Sequence, residues 1–288
     1  MRIGIVILPD ERWSIAGRRW RLAEEYGFDH AWTYDHLGWR DLADGTWFDA
    51  VPTLTAAAMV TRRIRLGTYV ASPNFRHPVH FAREVTALDD ISQGRLLLGV
   101  GSGGIGFDSA VLGTAELTPR ERIDRFTEFL ALLTQLLEND RTDFTGTYYR
   151  AVDARSIPGP VQQPRPPLVV AANGPRALRL AAKYGDAWVT TGGQATEGEA
   201  AWWRSVAEVS ARFSDAAAGR SMDRYLNLDS SPVFSLSSAE AFTDAVGRAA
   251  ELGFTDVMAH WPRKSSWYAG DEKVLEAIAP MLPKLRAS

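Results

Sequence analysis

Residues 78–104 read PVHFAREVTALDDISQGRLLLGVGSGG, and they hold one full copy of the unit from which the fold is built. In 78–91 the apolar residues Phe81, Val85 and Leu88 recur at helical spacing and form one stripe. The run 95–100 that follows is apolar without alternation, as in a short strand buried on both faces. It gives way to the glycine-rich loop Gly101-Ser102-Gly103-Gly104-Ile105-Gly106.

The same unit repeats on both sides of this stretch. Apolar runs that read as strands lie at 2–8, 28–34 and 64–71 before it, and at 167–171, 186–190, 226–234 and 255–260 after it. Helical patterns fill the gaps at 14–26, 49–62, 118 onward, 175–184, 197–218, 238–252 and from 271, the last broken near Pro280 and Pro283. Thr118-Pro119-Arg120-Glu121 is a capping box with proline at the first helical position, and Ile123, Phe126, Leu130, Leu133 and Leu137 form its apolar face. Ser237 with Glu240 reads as a second capping box. Strands alternating with helices fit a doubly wound sheet or a barrel, and the count of eight points to a closed (β/α)8 TIM barrel. The sequence reads as one domain over 1–288. A Thr145-Gly146-Thr147 turn and a Pro-rich lead into the fifth strand mark a hairpin insertion at 141–166, on the barrel's N-terminal side.

Composition narrows the function. Thirty-two basic against 35 acidic residues leave a net charge of −3, and a pI near 6.0 offers no electrostatic draw toward nucleic acid or an anionic membrane. With no cysteine there can be no disulfide, thiolate metal site or Cys nucleophile. No run of about 20 apolar residues is present to span a bilayer, and the opening apolar run is too short for a signal peptide. A cytoplasmic enzyme acting on a small molecule is the expectation.

Barrel enzymes work at the C-terminal ends of their strands. Asp35-His36-Leu37-Gly38-Trp39 follows strand two there, and His36 is the side chain suited to move a proton near neutral pH. Gly101, Gly103 and Gly106 spell G-x-G-x-x-G after strand four. A dinucleotide fingerprint must open a helix, whereas the next helix start read here is Thr118. The glycines fit better as a floor for a flat ligand, or as a plain flexible loop. After strand five, Asn173-Gly174-Pro175-Arg176 places a glycine cap and a proline at a helix start whose free N–H groups, with Arg176, suit a phosphate; an ordinary capped helix reads the same way. Thr190, Thr191, Gly192 and Gly193 add donors after strand six. Trp39, Trp47, Phe75, Trp261 and Trp267 fall near the mouth and could wall a ring system, while Trp13, Trp20, Trp202 and Trp203 read as packing residues. His30 reads as structural, His77 as a helix cap and His260 as a second mouth candidate. A metal hydrolase built on Asp35, His36, His77 and His260 lacks a His-x-His pair and H-E-x-x-H, so no metal is expected.

The runs Arg76-His77-Pro78, Ala82-Arg83 and 88–103, with Gly27-Phe28-Asp29, Asp35-His36 and Gly185-Asp186-Ala187-Trp188, closely resemble the luciferase-like monooxygenase family. These matches span residues 1–193; beyond them the likeness lies in the order of strands and helices. The resemblance implies a (β/α)8 barrel holding a flavin, either FMN or the deazaflavin coenzyme F-420, with redox chemistry over the ring. In the coenzyme F-420 branch an Asp–His pair after strand two lies beside the ring and maps onto Asp35 and His36. A non-proline cis peptide after strand three backs the ring and maps onto Tyr69 and Val70. An active-site Trp of the sugar-phosphate dehydrogenases in this branch maps near Trp39. Those enzymes also carry a Glu where this chain has Gly104, and a Lys in the loop after strand six, where 190–196 has none.

Taken together, the residues and the resemblance describe an oxidoreductase passing a hydride between coenzyme F-420 and a small, largely apolar organic substrate, with the reduced coenzyme as the preferred donor. His36 handles the proton and Asp35 orients it or bonds the cofactor. Tyr69, Val70, Gly101, Gly103, Asn173 and Thr190 surround the cofactor, and Gly174, Pro175 and Arg176 hold its phosphate end. An FMN-dependent monooxygenase fed by a separate flavin reductase is the alternative, and a non-enzymatic flavin-binding protein a further one. The resemblance also suggests a homo-oligomer.

Overall fold

A computed structural model describes residues 1–193 and 197–287. In chain order its strands are β1 (Arg2–Val6), β2 (His30–Thr33), β3 (Arg65–Thr68), β4 (Leu96–Val100), β5 (Arg141–Thr145), β6 (Arg150–Arg155), β7 (Leu168–Ala171), β8 (Ala187–Thr190), β9 (Asp223–Asn227) and β10 (Asp256–His260). Its helices are α1 (Trp13–Glu25), α2 (Ala50–Val60), α3 (Pro78–Ile91), α4 (Phe107–Ala110), α5 (Pro119–Glu138), α6 (Pro175–Tyr184), α7 (Glu199–Ala217), α8 (Ala239–Glu251), α9 (Lys273–Ile278) and α10 (Leu282–Ala287). Eight parallel strands close into a barrel in the order β1-β10-β9-β8-β7-β4-β3-β2, with the helices outside: the (β/α)8 architecture. No helix among the described residues is long and apolar enough to cross a membrane.

The main apolar core lies between strands and helices, and a second cluster fills the barrel's interior around Trp32, Leu97, Val169, Tyr225 and Met258. The Trp32 indole occupies this interior because β3 opposes it with glycine: a Cβ on Gly67 would stand 2.2 Å from the ring. Trp32 Nε1 donates to His30 Nδ1 at 2.6 Å, and His30 Nε2 lies 3.2 Å from Asp256 Oδ1. Arg2 closes the base of the barrel with a two-pronged bond to the same carboxylate, at 2.7 and 2.6 Å. The polar plug thus ties β1, β2 and β10 together where the barrel closes.

Three local readings change. Sequence periodicity puts the seventh barrel strand at 226–234, but β9 starts earlier, at Asp223, whose carboxylate pairs with Arg2 at the barrel base. It ends at Asn227, whose side chain accepts from Asp229 N and turns the chain into a 3-10 turn. The cap of α8 is Ser238 rather than Ser237, because Ser237 is used in a preceding 3-10 turn. A short helix, α4, opens directly after Gly106, well before Thr118, where Ser109 Oγ bonds both the N–H and the carbonyl of Gly106.

β5 and β6 pair antiparallel as a hairpin. The chain leaving it passes under the start of β4, where Gln162 bonds Asp89 and the Leu96 carbonyl. The tip climbs the outside of α5 instead: Glu128 accepts the backbone N–H groups of Thr147 and Tyr148, each at 2.8 Å, and the Tyr149 ring stands edge-on to His77.

Burial favours the protonated form of Asp256, yet its bonds to Arg2 and His30 outweigh that and hold the carboxyl at about 2, below its ordinary 3.8. A carboxyl lowered on folding stabilises the fold above its unfolded pKa, and that stability is lost as pH falls through the folded value. The shift corresponds to about 2 kcal/mol. Arg2→Ala is therefore expected to cost about that much at neutral pH and to move the acid-unfolding midpoint, followed by Trp fluorescence, to higher pH. An unmoved midpoint would show that the plug does not depend on Arg2.

Candidate active site

At the C-terminal mouth two cavities adjoin, of about 740 and 640 Å³. His36, Tyr69, Val70, Ala171 and Thr191 line both, so these residues form the ridge between them. The Tyr69–Val70 peptide on that ridge is cis.

The first lobe is mostly apolar and has a glycine floor. Gly101 and Gly103 both line it, and each is required by its packing: a Cβ on Gly101 would come within 2.7 Å of Val70, and Gly103, at φ +68°, lies against the Asn74 amide. Asn173 and Thr190 sit together on the wall, where Thr190 Oγ1 donates to Asn173 Oδ1 at 2.5 Å and Asn173 Nδ2 donates to Thr191 at 2.8 Å. Gly174 and Pro175 open α6 with no side chain capping its first N–H groups. Arg176 lines the lobe here but is bonded to Asp124 on α5, a carboxylate that also lies 3.9 Å from Arg120. This end therefore holds two guanidinium groups against one carboxylate, beside a helix N-terminus.

His36 borders both lobes, with its side chain 30% exposed. Its Nδ1 bonds the Asp108 carboxylate, whose other oxygen accepts Leu37 N–H at 2.7 Å. A carboxylate can only accept, so Nδ1 carries a hydrogen and Nε2 is the ring nitrogen left to exchange a proton. None of the described residues bonds Nε2. The ring is thus set up to take a proton from, or return one to, a ligand on the ridge.

Asp35 does not hold His36. Its buried carboxylate turns away from both lobes and makes a two-pronged bond to Arg76, at 2.6 and 3.1 Å, and Arg76 also reaches Asp49 and Glu84. Neighbours along an extended strand end point to opposite sides, so adjacency in sequence separates Asp35 from His36. The carboxylate that does the orienting, Asp108, arrives from α4, and its only trace in the sequence is an acidic residue just beyond the last glycine of the loop.

Trp39 walls the second lobe, its ring parallel to Tyr268 at 6.2 Å and near Trp267 at 5.6 Å. Trp47 stands behind the mouth and donates to the His36 carbonyl at 2.7 Å. Trp261 is buried outside the barrel against Tyr26 and donates to Glu272, because alternation turns it away while His260 faces in. Phe75 packs under Arg76. His77 caps α3 by accepting Val79 N–H at 3.3 Å, and among the described residues no group of three His, Asp or Glu side chains gathers as a metal site. In the loop after β8, residues 194–196 lie outside the described residues. Sequence reading misses Tyr34, Asp229 and Tyr268 in the second lobe and Arg120 in the first: Asp229 was hidden by the overlong seventh strand, and the others stand in runs that look like ordinary strand, helix or loop.

The chain resembles several known proteins. An F-420-dependent glucose-6-phosphate dehydrogenase of Beutenbergia cavernae is 42% identical over 178 residues, 61% of this chain and 52% of the relative. An F-420-dependent hydroxymycolic acid dehydrogenase of Mycobacterium tuberculosis is 36% identical over 169 residues, 58% of this chain and 46% of the relative. Each match thus spans about half of the relative's length. Among solved structures, an F-420-dependent secondary alcohol dehydrogenase in complex with an F-420–acetone adduct superposes with a TM-score of 0.79 at 18% identity, over 99% of both chains, a likeness of fold. The family model for luciferase-like monooxygenases matches residues 1–277, nearly the whole barrel, and the chain belongs to that family of oxidoreductases.

Proposed function

We propose that this enzyme transfers a hydride between coenzyme F-420 and a small organic substrate, with the coenzyme in the first lobe, the substrate in the second and His36 exchanging the proton between them. The observation that carries this is the position of His36: a partly exposed imidazole, held by Asp108 through Nδ1, on the ridge shared by both lobes. The first lobe suits a flavin-like group in shape and chemistry. It is roomy and apolar over the glycine floor, and cationic where α6 begins, as a ring system with a phosphate-bearing tail requires. A bound deazaflavin supplies two-electron hydride chemistry. Gly174, Pro175, Arg176 and Arg120 would hold its phosphate, and Tyr69 and Val70 would back its ring. The names of the two dehydrogenase relatives favour this coenzyme. The proposal does not extend to glucose 6-phosphate. Gly104 faces open space where the sugar-phosphate dehydrogenases of the resemblance carry a Glu.

Titrating the protein with coenzyme F-420 and with FMN, read by quenching of Trp fluorescence, should show micromolar binding of F-420 and none of FMN. The reverse order would instead favour an FMN-dependent monooxygenase supplied by a separate reductase. At the phosphate end, Arg176→Ala should weaken F-420 by about 1 kcal/mol, the lower range for a charge-assisted bond at a half-exposed site, while Asp124→Ala should tighten it by freeing both arginines. Equal, small effects of the two would place the phosphate elsewhere. His36→Ala should bind F-420 nearly as well as the unmodified enzyme and lose about 10²–10⁴-fold in turnover. Normal turnover with poor F-420 binding would make His36 a binding residue.

A further inference from the structure

The second lobe contains a chain of hydrogen bonds that this reaction does not use, and its direction is set from one end. Asp229, in the loop after β9, accepts Ser235 N–H on Oδ1 at 2.8 Å and His260 N–H on Oδ2 at 2.5 Å. The same Oδ2 lies 3.1 Å from His260 Nδ1, which must be the donor. Both side chains are buried. Burial lowers the His260 pKa below its ordinary value, outweighing the pull of Asp229, so the ring is neutral and Nε2 carries a lone pair. Tyr34 Oη, 2.9 Å from that nitrogen, is therefore a donor to it. Tyr268 Oη lies 2.9 Å from Tyr34 Oη and donates in turn.

Each phenol has one hydrogen. Tyr34 spends its own on His260, Tyr268 spends its own on Tyr34, and Tyr268 is left with acceptor capacity alone. Burial pushes the Tyr268 hydroxyl up to about 12, so it stays protonated and the chain keeps its direction. The ring is also fixed in place, stacked on His260 at 3.7 Å and 14°, and parallel to Trp39. Trp267 stands edge-on to Trp39 at 67° and completes an aromatic corner, and Arg40 lies across both rings at 4.6 and 4.2 Å.

We propose that Tyr268 sets specificity in the second lobe by accepting a hydrogen bond from the substrate, so that the lobe selects molecules carrying a hydroxyl or N–H donor in addition to the group that reacts at His36. The inference rests on the second lobe being the substrate side of the site proposed above. His260, which lines neither lobe, acts as a positioning residue, and Tyr34 and Asp229, which line the second lobe beside Tyr268, fix the direction of its hydroxyl through the chain.

The test is equilibrium binding of two probes to the full chain, read by Trp fluorescence: phenol, which donates a hydrogen bond, and its methyl ether anisole, which does not. Tyr268→Phe should weaken phenol roughly 3- to 10-fold, the worth of one neutral hydrogen bond, and leave anisole and the thermal unfolding midpoint unchanged. Tyr34→Phe frees the Tyr268 hydrogen to turn into the lobe and should tighten anisole, an effect that a purely structural role for Tyr34 does not produce. The proposal is overturned if Tyr268→Phe weakens both probes alike or neither, or if neither binds the unmodified protein. Because no coenzyme is needed, failure of F-420 to bind while the phenol effect persists sinks the coenzyme reading and leaves this one standing.

Discussion

The barrel depends on a single line of contacts across its interior: Trp32 to His30, His30 to Asp256, Asp256 to Arg2. A parallel barrel must fill its centre with side chains, and here one indole does much of that work, which obliges the facing strand to carry glycine at Gly67. A buried indole brings a polar N–H with it, and that N–H must find an acceptor. His30 accepts it, and so needs a carboxylate on its other side. The carboxylate in turn needs a cation to remain charged in the interior. Each residue of the plug answers a need created by the one before it, and the line ends where β1 meets β10. The mouth above can therefore stay open and apolar.

Among the described residues three histidines at the barrel strands are hydrogen-bonded to a carboxylate, apart from the exposed His80–Glu84 pair on α3, and what lies beyond the histidine decides its role. His30, bonded to Asp256, receives Trp32 N–H and is sealed in the base. His260, bonded to Asp229, receives Tyr34 O–H and is equally buried. Of these three, His36 combines its carboxylate partner, Asp108, with an exposed face, and it alone borders both lobes. Burial thus separates chemistry from scaffolding among three pairs built from the same two residue types.

The architecture was legible because it is written in periodicity. Unbroken apolar runs and helical stripes are local properties, and α3 and α6 begin and end where Pro78 and Pro175 and their periods place them. The strand-two and strand-five loops could be assigned to the mouth for the same reason. What was not legible is which side chains meet. Asp35 is next to His36 in sequence but is held by Arg76, 41 positions away, while Asp108 reaches His36 across 72 positions. The second lobe was hidden further, since apolar residues past Asn227 continue the pattern of β9 although the Asn227 side chain has already turned the backbone.

The plug joins the first strand of the barrel to its last. Arg2 and Asp256 are 254 positions apart, and Arg2 to Val6 pairs with Asp256 to His260 along its whole length. During synthesis β1 therefore leaves the ribosome long before its partner exists. Until β10 emerges, the growing chain is an open sheet with two unpaired edges, and its interior indole faces an unfinished wall. Closure is a late event of high contact order, and it leaves those edges unpaired until β10 is made.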